Sequence, residues 1–166
     1  MAMGQHCRVL QIVGYKNSGK TALMEQLIQA FSARNMRVAA LKHHGHGGAP
    51  DRLEASVDSE RFSQAGAMSS AIEGDGVLQL TAEQDTWSLD ELLRMQAHLE
   101  PDVVLVEGWK QADYLKIALL RGREDEALLS QLSNVCCALY RGDINDEAYV
   151  QFIVRQVEDS HGYRFI

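Results

Sequence analysis

The stretch Gly14-Tyr15-Lys16-Asn17-Ser18-Gly19-Lys20-Thr21 constrains this chain more than any other, because it fits G-x-x-x-x-G-K-[ST] without a gap. The pattern works in one setting. A buried strand must deliver the chain to the first glycine and a helix must open at the second, so that backbone N–H groups and the positive helix end converge on phosphate oxygens. The flanks supply both. Arg8–Val13 (RVLQIV) reads as a short buried strand, and Leu23, Leu27, Ala30 and Phe31 recur at helical spacing. Each residue from Gly14 to Thr21 is therefore expected to touch a nucleotide. Lys20 is placed to reach the β- and γ-phosphates, and the Thr21 hydroxyl to ligate Mg²⁺.

Strand-like and helix-like segments alternate along the rest of the chain. Val38–Leu41 reads as a second strand, followed by an irregular Gly- and Pro-bearing stretch from His43 to Val57. A short helix is predicted from Asp58-Ser59 to Gly66. Met68–Ile72 and Val77–Leu80 read as strands of a hairpin turning around Glu73-Gly74-Asp75-Gly76. Ser88-Leu89-Asp90-Glu91 fits a capping box opening a helix that Pro101 stops. Val103–Val106 is apolar throughout, as a strand buried on both faces would be, and Lys116–Leu120 and Val135–Leu139 are further strands. Glu124–Leu132 and Ala148–Val157 complete the predicted helices. The alternation predicts an α/β fold in three layers around a mostly parallel sheet, with a β-hairpin element, and residues 1–166 as one nucleotide-binding domain. In such sheets ligands sit beyond the carboxyl ends of the strands, so polar residues that directly follow a strand rank highest.

Glu107 follows Val103–Val106 and precedes Gly108, the place where an acid holds Mg²⁺ directly or through water, with the glycine allowing close approach of a γ-phosphate. Lys20, Glu107 and Asp58 are the candidate catalytic residues, and Thr21 and Glu107 the candidate metal ligands. Asp58 has two readings, a helix N-cap or a second carboxylate that positions Mg²⁺ or water. Lys42, His43 and His44 leave the second strand at the same edge and are expected to contact the nucleotide or another anion. The three imidazoles of His43, His44 and His46 are also a candidate cluster for Zn²⁺ or Ni²⁺. The guanine signature N-[KT]-x-D is absent. Asp143 either accepts from a guanine edge or caps the turn that follows it.

Charge and cysteine content narrow the class of partner and compartment. Sixteen basic against twenty-three acidic residues give a net charge of −7 with no basic block, which argues against nucleic-acid binding. No apolar run approaches the ~20 residues of a membrane span, and the N-terminus lacks a cationic start followed by an apolar stretch. Three cysteines, two of them adjacent at Cys136-Cys137 within an apolar run, read as reduced core thiols, so the chain is expected in the cytoplasm.

Several segments together resemble one family. GYKNSGKT at 14–21, LKHHGH at 41–46, Asp58-Ser59, Ala65-Gly66-Ala67 and VLVEGWK at 104–110 are similar, in order, to the adaptor proteins of molybdopterin guanine dinucleotide biosynthesis, the MobB family. The resemblance implies a homodimer that binds GTP and Mg²⁺ with weak hydrolysis. It also implies a molybdopterin guanylyltransferase as partner, which attaches GMP to the molybdopterin cofactor. Gly19, Lys20, Thr21 and Glu107 carry over as phosphate and metal contacts, and Lys42, His43 and His44 match a family motif. A pterin would need a positive surface, for which Lys42, Lys110, Lys116 and Arg121 are candidates by position. Two other readings compete. One is a nickel-insertion GTPase that uses the histidines and cysteines, and the other is an ATP-dependent kinase or ligase of the dethiobiotin synthetase type.

Overall fold

The computed structural model describes residues 6–44, 57–160 and 163–164, which form two compact units. The larger unit is built from residues up to 45 and from 89 onward, the smaller from 46–88.

In the larger unit, β1 (His6–Gly14), β2 (Val38–Lys42), β5 (Val103–Glu107), β6 (Leu115–Leu120) and β7 (Val135–Tyr140) make a sheet in the order β2-β5-β1-β6-β7, all parallel. Strand alternation divides the apolar residues between two faces. Leu10 and Ile12 of β1 and Val103 and Leu105 of β5 meet α1 (Lys20–Ser32) and α4 (Glu147–Glu158) through Leu23, Leu27, Phe31, Ile153 and Val154. Cys7, Val9, Val104 and Val106 face α3 (Leu89–Ala97) through Leu89 and Leu93. All five residues of β5 are buried, as a strand covered on both faces requires. Asp146 caps α4 by accepting from the Ala148 N–H at 2.9 Å.

The expected α/β architecture is present, with two differences. Glu124–Leu132, expected as an ordinary helix, is a 3₁₀ helix over Arg123–Gln131. Its buried residues, Asp125 and Leu128, are three apart, the spacing that falls on one side of a three-residue turn. A short strand, β8 (Tyr163–Arg164), pairs antiparallel with the start of β1 and is too brief to leave a periodic signal.

The smaller unit holds α2 (Val57–Gln64) and the hairpin of β3 (Ser69–Gly74) and β4 (Val77–Ala82). Asp75 and Gly76 form its two-residue turn with φ of 54° and 79°, the double left-handed conformation that suits the twist of paired strands. No helix among the described residues is long and apolar enough to cross a membrane.

Beyond β6, Asp125 accepts from the Arg121 guanidinium at 2.7 and 2.8 Å and from the Arg121 backbone N–H at 2.9 Å. The guanidinium hydrogen bonds hold its carboxyl well below the usual range, at about 2, against an opposing push from burial. A carboxyl depressed on folding contributes stability that is fully present above its ordinary value and is lost as pH falls through the folded value. Thermal melts should therefore lose an Asp125-dependent increment between about pH 4 and pH 2. In Asp125→Asn that increment should be missing at pH 7, and the melting temperature should fall less steeply across the same window.

Candidate nucleotide site

β1 lies in the middle of the sheet and ends at Gly14, between the ends of β5 and β6. Gly14 pairs with Leu119, and a Cβ there would run into the Leu119 carbonyl oxygen and stand 2.6 Å from Ser18 Oγ. The loop then folds over itself. The Ser18 N–H donates to the Tyr15 carbonyl at 3.3 Å, and Asn17 and Gly19 are left-handed at φ 63° and 98°. This geometry turns successive N–H groups toward one concavity. Ser18 Oγ is buried with no hydrogen-bond partner among the described residues. Gly19 is the N-cap of α1, so no side chain occupies the cap, and no acidic residue stands in the first turn. The first-turn N–H groups and the positive helix end are thus open to an anion.

Around this loop the structure gathers Lys20, Thr21, Lys42 and Glu107. The Lys20 ammonium donates to the Tyr15 carbonyl at 2.8 Å. Burial pushes it below its ordinary value; Glu107 opposes that, and Lys110 and Lys42 reinforce it. The Thr21 hydroxyl donates to Glu107 Oε2 at 3.1 Å, and Lys42 Nζ lies 3.7 Å from the same oxygen. Strand register explains the meeting, since Glu107 pairs with Ile12 on one side and with Lys42 on the other. A hydroxyl and a carboxylate from two elements, both hard oxygen donors, fit Mg²⁺.

After Glu107, Gly108 is closely hemmed in. Its N–H donates to the Ile12 carbonyl at 3.1 Å, and a Cβ would lie 2.7 Å from His43 Cβ. The glycine, at φ 108°, is thus required by the approach of His43. The His43 ring leans on Trp109 with centroids 4.7 Å apart, and the His43 N–H donates to the Glu107 carbonyl at 2.9 Å. His44 is exposed at the end of the same strand exit.

Gln11 is a site residue that motif reading passes over. Its side-chain amide donates to the carbonyls of Gly108 and Trp109 at 3.0 and 2.9 Å, which ties the loop after β5 to the middle of β1. The signal was a lone amide inside RVLQIV. Lys116, proposed from its position as an anion contact, is instead fully buried. It donates to the carbonyls of Ala112 and Tyr114. Burial pushes its ammonium below the ordinary value, with Asp113 opposing. Lys110 and Arg121 both lie over the Tyr15 ring, at 4.5 and 5.2 Å from its centroid.

Asp58 lies in α2 of the smaller unit, and its side chain, like all of His46, is outside the described residues. Asp143 Oδ2 accepts from the Tyr140 N–H at 3.0 Å, a bond back to the end of β7 and not the cap of the turn that follows. His43 and His44 follow β2, whereas Cys136 and Cys137 lie on β7 at the opposite sheet edge, roughly 19 Å away at ~4.8 Å per strand. Lys16 and Asn17 are exposed on the loop.

The Gly108 geometry gives a direct test. Gly108→Ala adds both a left-handed alanine and a clash, so it should cost about 1–3 kcal/mol for the overpacking alone. A fall in the urea midpoint at unchanged slope would register it.

Comparison with known proteins agrees with this architecture. The family model described as molybdopterin guanine dinucleotide synthesis protein B matches residues 9–140. The probable molybdopterin-guanine dinucleotide biosynthesis adapter protein of Bacillus subtilis (strain 168) is 42% identical over 142 residues, 85% of this chain and 80% of the relative. The adapter protein of Haemophilus influenzae is 33% identical over 173 residues, 98% of this chain and 96% of the relative. The crystal structure of Bacillus subtilis MobB superposes with a TM-score of 0.78 at 34% identity, covering 92% of this chain and 99% of that one. With a matching family model over most of its length and relatives this similar, the chain belongs to the MobB family.

Proposed function

We propose that this chain is a GTP-binding adaptor with weak, Mg²⁺-dependent GTPase activity, which assists a molybdopterin guanylyltransferase in attaching GMP to the molybdopterin cofactor. The observation that carries the nucleotide half is the contact of Thr21 Oγ1 with Glu107 Oε2 at the opening of α1. The named role of the relatives supports the pathway half. The loop N–H groups from Gly14 to Gly19 hold the phosphates and Lys20 neutralises them, while Thr21 and Glu107 hold Mg²⁺. The metal supplies charge neutralisation on the phosphate oxygens. Slow hydrolysis fits the residue after Gly108. It is Trp109, with its ring against His43, so no glutamine follows Glu107-Gly108 to orient a water. Lys42, Lys110 and Arg121 remain at the same edge for an anionic pterin.

Calorimetric titration with GTP and with ATP, each with Mg²⁺, tests the reading. GTP is expected to bind more tightly than ATP, and Lys20→Ala should weaken it roughly 10- to 100-fold, the worth of a hydrogen bond to a charged group. A preference for ATP would sink the guanine assignment and favour the kinase or ligase reading.

Self-association belongs to the same proposal. Val77, Leu78 and Leu80 of β4 are all more than half exposed, and Leu78 and Leu80 project from one face of the hairpin. A second copy of the chain is the partner proposed for that face, since contiguous exposed apolar residues mark interaction sites. Light scattering should give twice the chain mass, and Leu78→Asp with Leu80→Asp should give the mass of one chain.

A further inference from the structure

Adjacent residues of a strand point to opposite faces, so two neighbouring cysteines do not ordinarily share a site. Here they do. In the β6–β7 ladder Lys116 pairs with Val135 and Ile117 pairs with Cys137, which leaves Cys136 as an extra residue in a bulge. A bulge opposes two residues to one and re-aims a side chain. The consequence is that Cys136 and Cys137 both pack against the apolar cluster formed by β1, β5, β6, α1 and α4. Cys136 Sγ donates to the Lys116 carbonyl at 3.3 Å. Both are free thiols and only partly buried, and β7 is the edge strand of the sheet. Cys7, in contrast, is buried on the other face beside Val9 and Leu93.

We propose that Cys136 and Cys137 form a two-thiolate site that closes on one soft, thiophilic centre, separate from the nucleotide site. Two thiolates at one point favour soft ions and metalloids over Mg²⁺ or Ca²⁺. With a trivalent arsenical such as phenylarsine oxide, the As–O bond breaks and two As–S bonds form. The two thiol protons leave with the oxygen as water, and no oxidation state changes. The adjacent sulfur favours the first step, because the Cys137 neighbour lowers the Cys136 thiol from its ordinary value, while Cys137 itself is raised. Formation of the first As–S bond brings the second sulfur to the same arsenic.

The test is intact-mass spectrometry and thiol titration of the full chain after exposure to phenylarsine oxide. One arsenical per chain is expected, with the two partly buried thiols lost from the titration while buried Cys7 is untouched, reversible by a dithiol at concentrations where a monothiol has no effect. Cys7→Ser should bind as the parent does. Cys136→Ser and Cys137→Ser should each lose at least about tenfold in affinity, the least expected when one of two soft thiolate bonds is removed. Their thermal melts serve as the check that they remain folded, and Cys137→Ala supplies a second variant should the serine disturb the strand. Equal binding by any folded Cys136 or Cys137 variant would overturn the proposal, as would dependence on Cys7 or a parent chain that takes up no arsenical.

Discussion

Glu107 is a carboxylate buried at the end of an apolar strand, and burying such a charge is costly unless partners reach it. The partners come from the strands and helix beside it. Thr21 belongs to α1, and Lys42 to the neighbouring β2. Their arrival depends on an all-parallel arrangement that brings the carboxyl ends of β1, β2 and β5 to one edge. The nucleotide loop is built on the same alignment, since Gly14 closes against Leu119 of β6 while Gly108 closes against His43. The fold and the site are one constraint satisfied twice: backbone approaches too tight for a Cβ, beside a charge too buried to stand alone.

Legibility in the sequence followed the physics of each element. Val103–Val106 was readable because a strand covered on both faces must be apolar throughout, and Asp75-Gly76 because a two-residue hairpin turn needs two left-handed positions. The Gly14–Thr21 loop was readable because its spacing is set by phosphate geometry. Gln11 and Lys116 were not, because a buried polar side chain is explained by the carbonyls it meets, and those lie about 97 and 4 residues away in sequence. Gly108 shows the same limit. Its necessity was visible, while the neighbour that demands it, His43, depends on the lateral order of β2 and β5.

Gln11 and Lys116 give the loop between β5 and β6 its shape. Side chains from two strands donate to four carbonyls along Gly108–Tyr114, a stretch that itself carries the turn bond from the Ala112 N–H to the Trp109 carbonyl at 2.9 Å. Lys110 lies between those anchors and over Tyr15 of the nucleotide loop. The position of a surface cation is thereby set from beneath by two residues that never meet solvent.

The lateral order of the sheet has a consequence for synthesis. β1 is made first, yet both of its neighbours, β5 and β6, are encoded roughly 90 residues later. At about 5–20 residues per second, β1 waits roughly 5–18 s for β5 and β6 with those two hydrogen-bonding edges unpaired, while α1, made directly after it, is at hand to cover only one of its apolar faces. During that interval its apolar residues are the natural target of a holding chaperone. The smaller unit, whose helix and hairpin close over short loops, can fold within the same wait. The nucleotide loop is therefore synthesised well before the strands that fix its shape.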